Sequence, residues 1–150
     1  MLVLVDSNVL LRAANSEALD FLPAVSALSR LREKGHQPAL VPQCCYEYYV
    51  VATRPVERNG LGLEPEQAAS DIADHLKLFR LLRDERAVFD AWKALVAEYV
   101  VRGKAAHDAR LVAAMRRHRV GRLLTFNVAD FSRYAGEITI LDPRDVAAAY

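Results

Sequence analysis

The sequence predicts an α/β fold, a three-layer α/β/α sandwich around a mainly parallel central sheet. Short apolar runs alternate along the chain with segments of helical period, which is typical of parallel strands covered by helices. The first run, residues 2–5, is apolar at every position, as expected for a strand buried on both faces. The 150 residues are 53% hydrophobic, which suffices for a sizeable core, and no repeat or linker divides them. We therefore expect a single domain over residues 1–150.

The first apolar run leads directly into a helix. Asp6 ends the strand, and Ser7 and Asn8 are residue types that cap helix N-termini. A second helix is expected over residues 18–34, because Gly35 is a typical stop and an apolar stripe at helical spacing runs through the segment. That stripe consists of Leu22, Val25, Leu28 and Leu31.

The middle of the chain is predicted to alternate in the same way. After a short strand at residues 39–41, Pro42 favours a helix start, and the residue before Pro55 is biased away from helix, so a helix is expected over residues 43–52. Residues 59–63 are expected to form a glycine-containing loop. Beyond it we predict a helix from Pro65 to Leu76, a strand at residues 79–82, and a long helix capped by Asp84 and closed by Gly103.

The final third is predicted to hold two helices and two strands. The helices span residues 104–118 and a short terminal segment that Asp142 and Pro143 would begin. The strands are placed at residues 122–126 and 137–141.

The charge balance excludes a strongly basic nucleic-acid binder of the histone type. The chain carries 20 Lys and Arg against 19 Asp and Glu, a net charge of +1. The balance is uneven, since residues 101–150 hold nine basic and five acidic side chains, a local net of +4. A cluster there is either a phosphate-contacting surface or a solvated helix end whose cations suit the helix dipole. Its members are Arg116, Arg117, His118, Arg119 and Arg122.

The cysteines indicate neither a disulfide framework nor a metal site. Cys44 and Cys45 are adjacent and are the only two, so we interpret them as packing residues. No export or membrane segment is visible, and a reduced, cytoplasmic chain is the simplest expectation.

Three isolated carboxylates stand out. Asp6 is the only formal charge in residues 1–11, and Glu47 is the only one in residues 35–53, on a helix that is apolar almost all round and is therefore expected to be buried. Asp108 begins a stripe that continues with apolar side chains. Each has an ordinary interpretation: Asp6 as a helix cap, Glu47 in a long-range salt bridge, and Asp108 as an acid favoured near a helix N-terminus.

A fourth polar group follows the predicted strand at residues 122–126. Thr125, Asn127 and Asp130 lie at the same sheet edge as Asp6, although Asn and Asp are also common turn formers. Together the groups supply the oxygen ligands that Mg²⁺ or Mn²⁺ requires, and a cation would relieve the repulsion between the acids. The four histidines show no zinc spacing.

Four segments, taken in order, resemble the motifs of one protein family. They are residues 3–8 (Val-Leu-Val-Asp-Ser-Asn), 42–47, 107–113 and 124–131. The ordered set is similar to that of the PIN-domain family, particularly the VapC-type toxins, and the resemblance extends over residues 2–143. It implies a parallel α/β/α sheet, a Mg²⁺- or Mn²⁺-dependent ribonuclease activity, and a cognate antitoxin partner.

The resemblance also implies particular roles. By position, the family's first acid falls on Asp6, its helical Glu on Glu47 and its third acid on Asp108. Its fourth acidic position falls on Asn127, a departure that leaves a neutral carbonyl oxygen there and Asp130 nearby to supply charge. Ser7, Asn8 and Thr125 match polar positions that support the site.

The sequence therefore predicts a toxin endoribonuclease that hydrolyses RNA phosphodiester bonds, with Asp6, Glu47 and Asp108 holding Mg²⁺ and either Asn127 or Asp130 completing the site. The expected partners are RNA, an antitoxin and a second copy of the chain in a homodimer, with no membrane. The alternative is an inactive PIN-like module that binds RNA or antitoxin. A phosphoryl-transfer protein is disfavoured, because Ser7 and Asn8 stand where those classes place a further acid. Tyr46, Tyr48 and Tyr49 are either core residues or a partner surface.

Overall fold

A computed structural model describes residues 1–149, which form five strands and seven α-helices. The strands are β1 Leu2–Val5, β2 Gln37–Leu40, β3 Arg80–Leu81, β4 Arg122–Leu124 and β5 Thr139–Leu141. The helices are α1 Ser7–Ala13, α2 Phe21–Glu33, α3 Pro42–Thr53, α4 Pro65–Leu78, α5 Arg86–Glu98, α6 Ala105–His118 and α7 Pro143–Ala148. Two 3₁₀ helices, Val56–Arg58 and Val128–Tyr134, complete these elements.

All five strands are parallel, in the order β3-β2-β1-β4-β5. The order runs outward from β1 in both directions, so right-handed crossovers place helices on both faces of the sheet. This confirms the predicted three-layer α/β/α fold. The direction in which successive strands are added to the sheet reverses between β1 and β4. The carboxyl ends of these two parallel strands lie side by side there. In parallel sheets such a switch point is where ligands bind.

The core lies on both sides of the sheet, as the apolar first strand predicts. Val3, Leu4 and Val5 are buried completely or nearly so. Tyr48, Phe131 and Tyr134 are the largest fully buried side chains. Within residues 1–149, no helix is both long enough and apolar enough to cross a lipid bilayer.

The apolar stripe predicted for α2 is wrong in its first half. The helix begins at Phe21, and Leu22 and Val25 are 70% and 38% exposed, while Leu28 and Leu31 are buried. The buried face is completed by Ala24 and Ala27 instead. Helix α2 packs against α7.

Helix α3 is buried on one face only, which corrects the expectation of a fully buried helix. Cys44, Cys45 and Tyr48 face the core, whereas Tyr46, Tyr49 and Val50 are exposed. The Tyr48 hydroxyl donates a hydrogen bond to Asp71 Oδ2 at 2.8 Å. Of the three tyrosines singled out in the sequence, Tyr48 thus belongs to the core, and the other two lie on the surface.

Several element boundaries also differ from the predictions, among them those of α5, β4 and β5. Helix α5 ends at Glu98 rather than near Gly103, because Val100 adopts a left-handed conformation (φ 50°) that a helix cannot continue. Strand β4 ends at Leu124, and the chain then turns into the unpredicted 3₁₀ helix Val128–Tyr134. Strand β5 begins at Thr139 instead of residue 137.

Candidate active site

Asp6 lies at the switch point, where β1 passes into α1. It is 6% exposed and caps α1, with Oδ1 accepting a hydrogen bond from the Ser7 backbone N–H at 2.8 Å. Its other oxygen, Oδ2, accepts from the Thr125 hydroxyl at 2.9 Å and from Asn8 Nδ2 at 3.1 Å. Asp6 is therefore both a helix cap and the centre of a buried polar network. The interpretation of Asp6 as a helix cap is thus compatible with its interpretation as a residue of the site.

Thr125 connects this network to the next strand. Its hydroxyl donates to Asp6 and accepts from Asn8 Nδ2 at 3.1 Å and from the Asn127 backbone N–H at 3.0 Å. Those three bonds use the full hydrogen-bonding capacity of a hydroxyl group. Asn8 Oδ1 in turn accepts from the Phe126 backbone N–H at 3.1 Å. The ends of β1 and β4 are thus fixed to each other by side chains.

The environment of Asp6 disfavours its charge. Burial raises the pKa of the Asp6 carboxyl, and the hydrogen bonds from Thr125, Ser7 and Asn8 offset only part of that increase. A positive charge close to this carboxylate would stabilise its ionised form.

Glu47 approaches the same site from α3. Its side chain is half-buried, and Oε1 is buried without a hydrogen-bond partner. Burial raises the pKa of Glu47 to about 7, with further contributions from the charges of Asp6 and Asp108, while Arg110 lowers it in part. The predicted long-range salt bridge is absent from the ion pairs of residues 1–149.

Asp108 enters from the first turn of α6 and is half-buried. Burial raises its pKa to about 6, and the charges of Asp6 and Asp130 raise it further, against smaller opposing effects of His107 and Arg133. The three carboxylates that the sequence singles out are therefore close enough for their charges to act on one another.

Asn127 and Asp130 lie at the open side of this group. Both residues are exposed, and the contact of Asn127 with the network is made by its backbone N–H. Asp130, in the 3₁₀ helix Val128–Tyr134, acts on Asp108 through its charge. Which of the two completes the site stays a prediction.

Gln43 is a buried site residue that the sequence analysis missed. Its Nε2 donates to the His107 backbone carbonyl at 2.9 Å, which joins the start of α3 to the start of α6. This bond fixes the two helices that carry Glu47 and Asp108. The available signal was its polarity at the start of an otherwise apolar helix.

The donor set fits a hard divalent cation. Among the residues that the structure describes, no group of three or more His, Cys, Asp or Glu side chains is placed so that it could by itself hold a metal ion. Mg²⁺ does not need such a group, because it keeps several waters and binds through one or two carboxylates plus a phosphate substrate. The unpaired oxygen of Glu47 and the mutual repulsion of the acids are the features that such an ion would satisfy.

The basic cluster of α6 is largely engaged in contacts within the chain. Arg116 pairs with Glu98 and Glu137, and Arg117 pairs with Glu85. The remaining contacts are made by His118 Nε2 to the Arg83 carbonyl and by Arg122 to His36. These contacts favour the interpretation of the cluster as a solvated, ion-paired helix end.

The strand order and the acids at the carboxyl edge of the sheet define a PIN-like α/β protein. No family model and no curated protein matches the sequence. Solved structures match in fold. A chain of VapBC2 from Rickettsia felis, bound to a DNA fragment from its promoter, has a TM-score of 0.71 at 15% identity, covering 95% of this chain and 98% of that chain.

Two further structures agree. VapC20 from Mycobacterium tuberculosis, a sarcin-ricin loop cleaving toxin, has a TM-score of 0.65 at 20% identity, covering 91% of this chain and 96% of its own. A chain of FitAcB from Neisseria gonorrhoeae has a TM-score of 0.64 at 16% identity, covering 94% and 97%. Over nearly its whole length the chain thus matches the fold of the VapC and FitB PIN-domain toxins, which confirms the predicted resemblance at the level of fold.

Proposed function

We propose that the protein is a metal-dependent endoribonuclease and the toxin component of a toxin–antitoxin pair. One observation carries the proposal: at the switch point of the sheet the charge of Asp6 raises the pKa of both Glu47 and Asp108, and the charge of Asp108 raises that of Glu47, although the three acids come from separate elements. Such repulsion is costly unless the acids share a cation. The fold shared with VapC20, a toxin that cleaves RNA in the sarcin-ricin loop, gives independent support.

Asp6, Glu47 and Asp108 would hold Mg²⁺ or Mn²⁺, which when bound supplies an activated water and stabilises charge on the phosphate. Asp6 is the rigid member, because Ser7, Asn8 and Thr125 fix both of its oxygens. A carboxylate held in one orientation presents its free lone pairs in one direction, so the chain contributes a preorganised ligand.

Cations of the chain also face the site. Arg110 lowers the pKa of Glu47, and Arg133 lowers that of Asp108, so both guanidinium groups lie within electrostatic range of the acids. Arg110 is held by Asp84 at 3.2 Å, whereas Arg133 is exposed. We assign Arg133 to the substrate phosphate, since a guanidinium binds phosphate oxygens in a bidentate manner.

The proposed partner is a cognate antitoxin. The Klebsiella pneumoniae neighbour is a toxin–antitoxin complex that matches at a TM-score of 0.65 and 20% identity, and VapBC and FitAB structures match as well. A homodimer is also proposed, on the same fold-level analogy.

Cleavage of RNA by protein purified free of antitoxin tests the activity. We expect Mg²⁺- or Mn²⁺-dependent cleavage of pooled tRNA, rRNA and mRNA that is abolished by chelation and reduced at least about 100-fold by Asp6→Asn or Asp108→Asn. Asp145→Asn, an exposed acid on α7, is the matched control and should cleave normally. Cleavage that survives Asp6→Asn would contradict the proposal.

The second candidate is an inactive RNA- or antitoxin-binding module. It is favoured by one observation, the exposed amide of Asn127 at a position where the family has an acid. This candidate predicts RNA binding without cleavage under any metal condition. Asn127→Asp would then be expected to restore cleavage if the missing acid is the cause.

A further inference from the structure

One cavity of the structure lies between α5 and α6, beside the acids and not among them. Its volume is about 640 Å³, within the range of small-molecule sites. Most of its wall is apolar, with Val88, Phe89 and Trp92, and the acids Asp84 and Glu85 line it together with His107 and Arg110. Nothing in the proposed chemistry of the acids uses this cavity.

Two aromatic rings form one side of the cavity. Phe89 and Trp92 lie 22° from parallel, with ring centroids 6.0 Å apart. Trp92 is fixed in orientation, because its Nε1 donates to the Ala106 carbonyl at 2.8 Å. Phe89 is 56% exposed, an unusual state for a ring that would gain by burial. The two rings thus form a rigid aromatic surface open to a ligand.

Cations border this aromatic surface. Lys93 Nζ lies 5.6 Å from the centroid of the Phe89 ring, and no carboxylate within residues 1–149 pairs with it. The two acids of the cavity are themselves ion-paired, Asp84 with Arg110 at 3.2 Å and Glu85 with Arg117, which leaves Lys93 to meet a phosphate. An aromatic surface beside positive charge is the arrangement that binds unpaired nucleotides, in which the base stacks and the phosphate meets a cation.

Helix α6 contributes residues both to the cavity and to the group of acids. His107 lines the cavity and immediately precedes Asp108, and its carbonyl is bonded to Gln43 on α3, the helix that carries Glu47. Arg110 lines the cavity and also lowers the pKa of Glu47. The cavity therefore lies within one helical turn of Asp108, close enough for a nucleotide neighbouring a phosphate at the acids to enter it.

We infer that this cavity binds an unpaired base of the RNA substrate, stacked on Phe89 and Trp92. The inference rests on the proposed ribonuclease function for its substrate class. Duplex RNA does not fit, because pairing and stacking leave its base faces covered.

Fluorescence of Trp92 tests the inference directly, since it is the only tryptophan of the chain. Intact protein in EDTA is titrated with a single-stranded oligoribonucleotide and with the same sequence as a duplex. We expect the single strand to quench Trp92 and the duplex to leave it unchanged. Equal quenching by both, or by neither, would overturn the inference.

Substitutions at Phe89 separate stacking from folding, because the side chain is more than half exposed. Phe89→Ala should weaken single-strand binding roughly ten-fold or more, the usual effect of removing one stacking ring. Phe89→Tyr keeps the ring and should bind like the wild type, as should Leu22→Ala, an exposed apolar control on α2. Unchanged binding by Phe89→Ala would overturn the inference.

Two outcomes separate this inference from its premise. The titration needs neither metal nor cleavage, so Phe89-dependent quenching in a protein that never cleaves RNA supports the cavity and contradicts only the nuclease. Asp6-dependent cleavage without Phe89-dependent binding contradicts the cavity alone. If Phe89→Ala changes the sedimentation coefficient while RNA binding stays intact, the cavity is a protein contact and the inference fails.

Discussion

Thr125 shows how one hydroxyl can order a candidate active site. It is fully buried and makes three hydrogen bonds, to Asp6, Asn8 and Asn127. A replacement that lacks a hydroxyl removes all three bonds and leaves buried polar groups short of a partner, which is more costly than the loss of an exposed bond.

We therefore expect Thr125→Val to lower the free energy of unfolding by about 1–3 kcal/mol. The reason is that Asp6 Oδ2, Asn8 Nδ2 and the Asn127 N–H each lose the partner that Thr125 provides. Urea denaturation measures the loss. Thr139→Val, at an exposed position in β5, is the matched control and should stay near wild type. If Thr125→Val and Thr139→Val are equally stable, the hydrogen bonds of the Thr125 hydroxyl do not stabilise the folded protein.

The raised pKa of Glu47 makes stability depend on pH. The pKa is about 7 in the folded protein and near 4.5 as the ordinary value, so between these values the folded state binds more protons than the unfolded state. The contribution of Glu47 to the stability of the metal-free protein is then greatest below about pH 4.5 and is lost as the pH rises towards 7.

Glu47→Gln should flatten that pH dependence and stabilise the metal-free protein at pH 7.5 by about 1 kcal/mol, because solvent screens a half-exposed carboxylate. Thermal unfolding in EDTA between pH 4.5 and 8 measures the effect. Glu66→Gln, on the exposed start of α4, should change nothing. A destabilised Glu47→Gln protein would mean that the charge of Glu47 is favourable and that the acids do not repel one another.

At the scale of elements, the sequence predicts every strand and α-helix but not every boundary or face. Strand β1 is predicted well because all four of its residues are apolar, as burial on both faces requires. The face of α2 is predicted poorly, because Ala24 and Ala27 are buried there while Leu22 is exposed. Hydrophobicity alone ranks leucine above alanine, and the face of α2 that is buried is decided by the packing of the folded chain, which this ranking does not contain.

The α2–α7 contact gives a test of this explanation. Ala24→Leu adds bulk at a fully buried position and should destabilise the protein by about 1–3 kcal/mol. The adjacent Val25→Leu lies on the exposed side and should be nearly neutral. Denaturation midpoints of the two variants measure the difference. Similar midpoints would indicate that α2 and α7 do not pack closely.

The acids of the candidate site were singled out because each is a lone charge among apolar neighbours. In the structure the charge of Asp6 acts on the pKa of Glu47 and Asp108, and their role as metal ligands stays a prediction. Gln43 was missed because its role depends on a bond to His107, 64 residues away. The cavity on α5 was missed because Phe89 and Trp92 are spaced as core residues are.

At the scale of the whole molecule, the positive charge of the final third is mostly compensated within the fold. Arg116 and Arg117 are bound to acids of other segments, which leaves exposed cations such as Arg133 nearer the candidate site. The net charge of +4 over residues 101–150 therefore overstates the positive charge that is available to contact RNA.

The salt dependence of RNA binding measures which cations of the chain contact RNA phosphates. Replacing Arg133 with Gln should reduce the slope of log affinity against log salt by about 0.7, the value for one phosphate contact on a single strand. Replacing Arg117 with Gln should leave the slope unchanged, because its charge is already paired with Glu85. The reverse pattern would assign the RNA-binding surface to the end of α6.

The central claim is that acids from three elements form one cation site, and Mn²⁺ binding to the metal-free protein measures it most directly. The wild type and Asp145→Asn should bind Mn²⁺ with the same affinity, whereas Asp6→Asn and Asp108→Asn should each bind at least about ten-fold more weakly, as loss of a ligand requires. Mn²⁺ affinity that is the same in all four proteins would contradict the account.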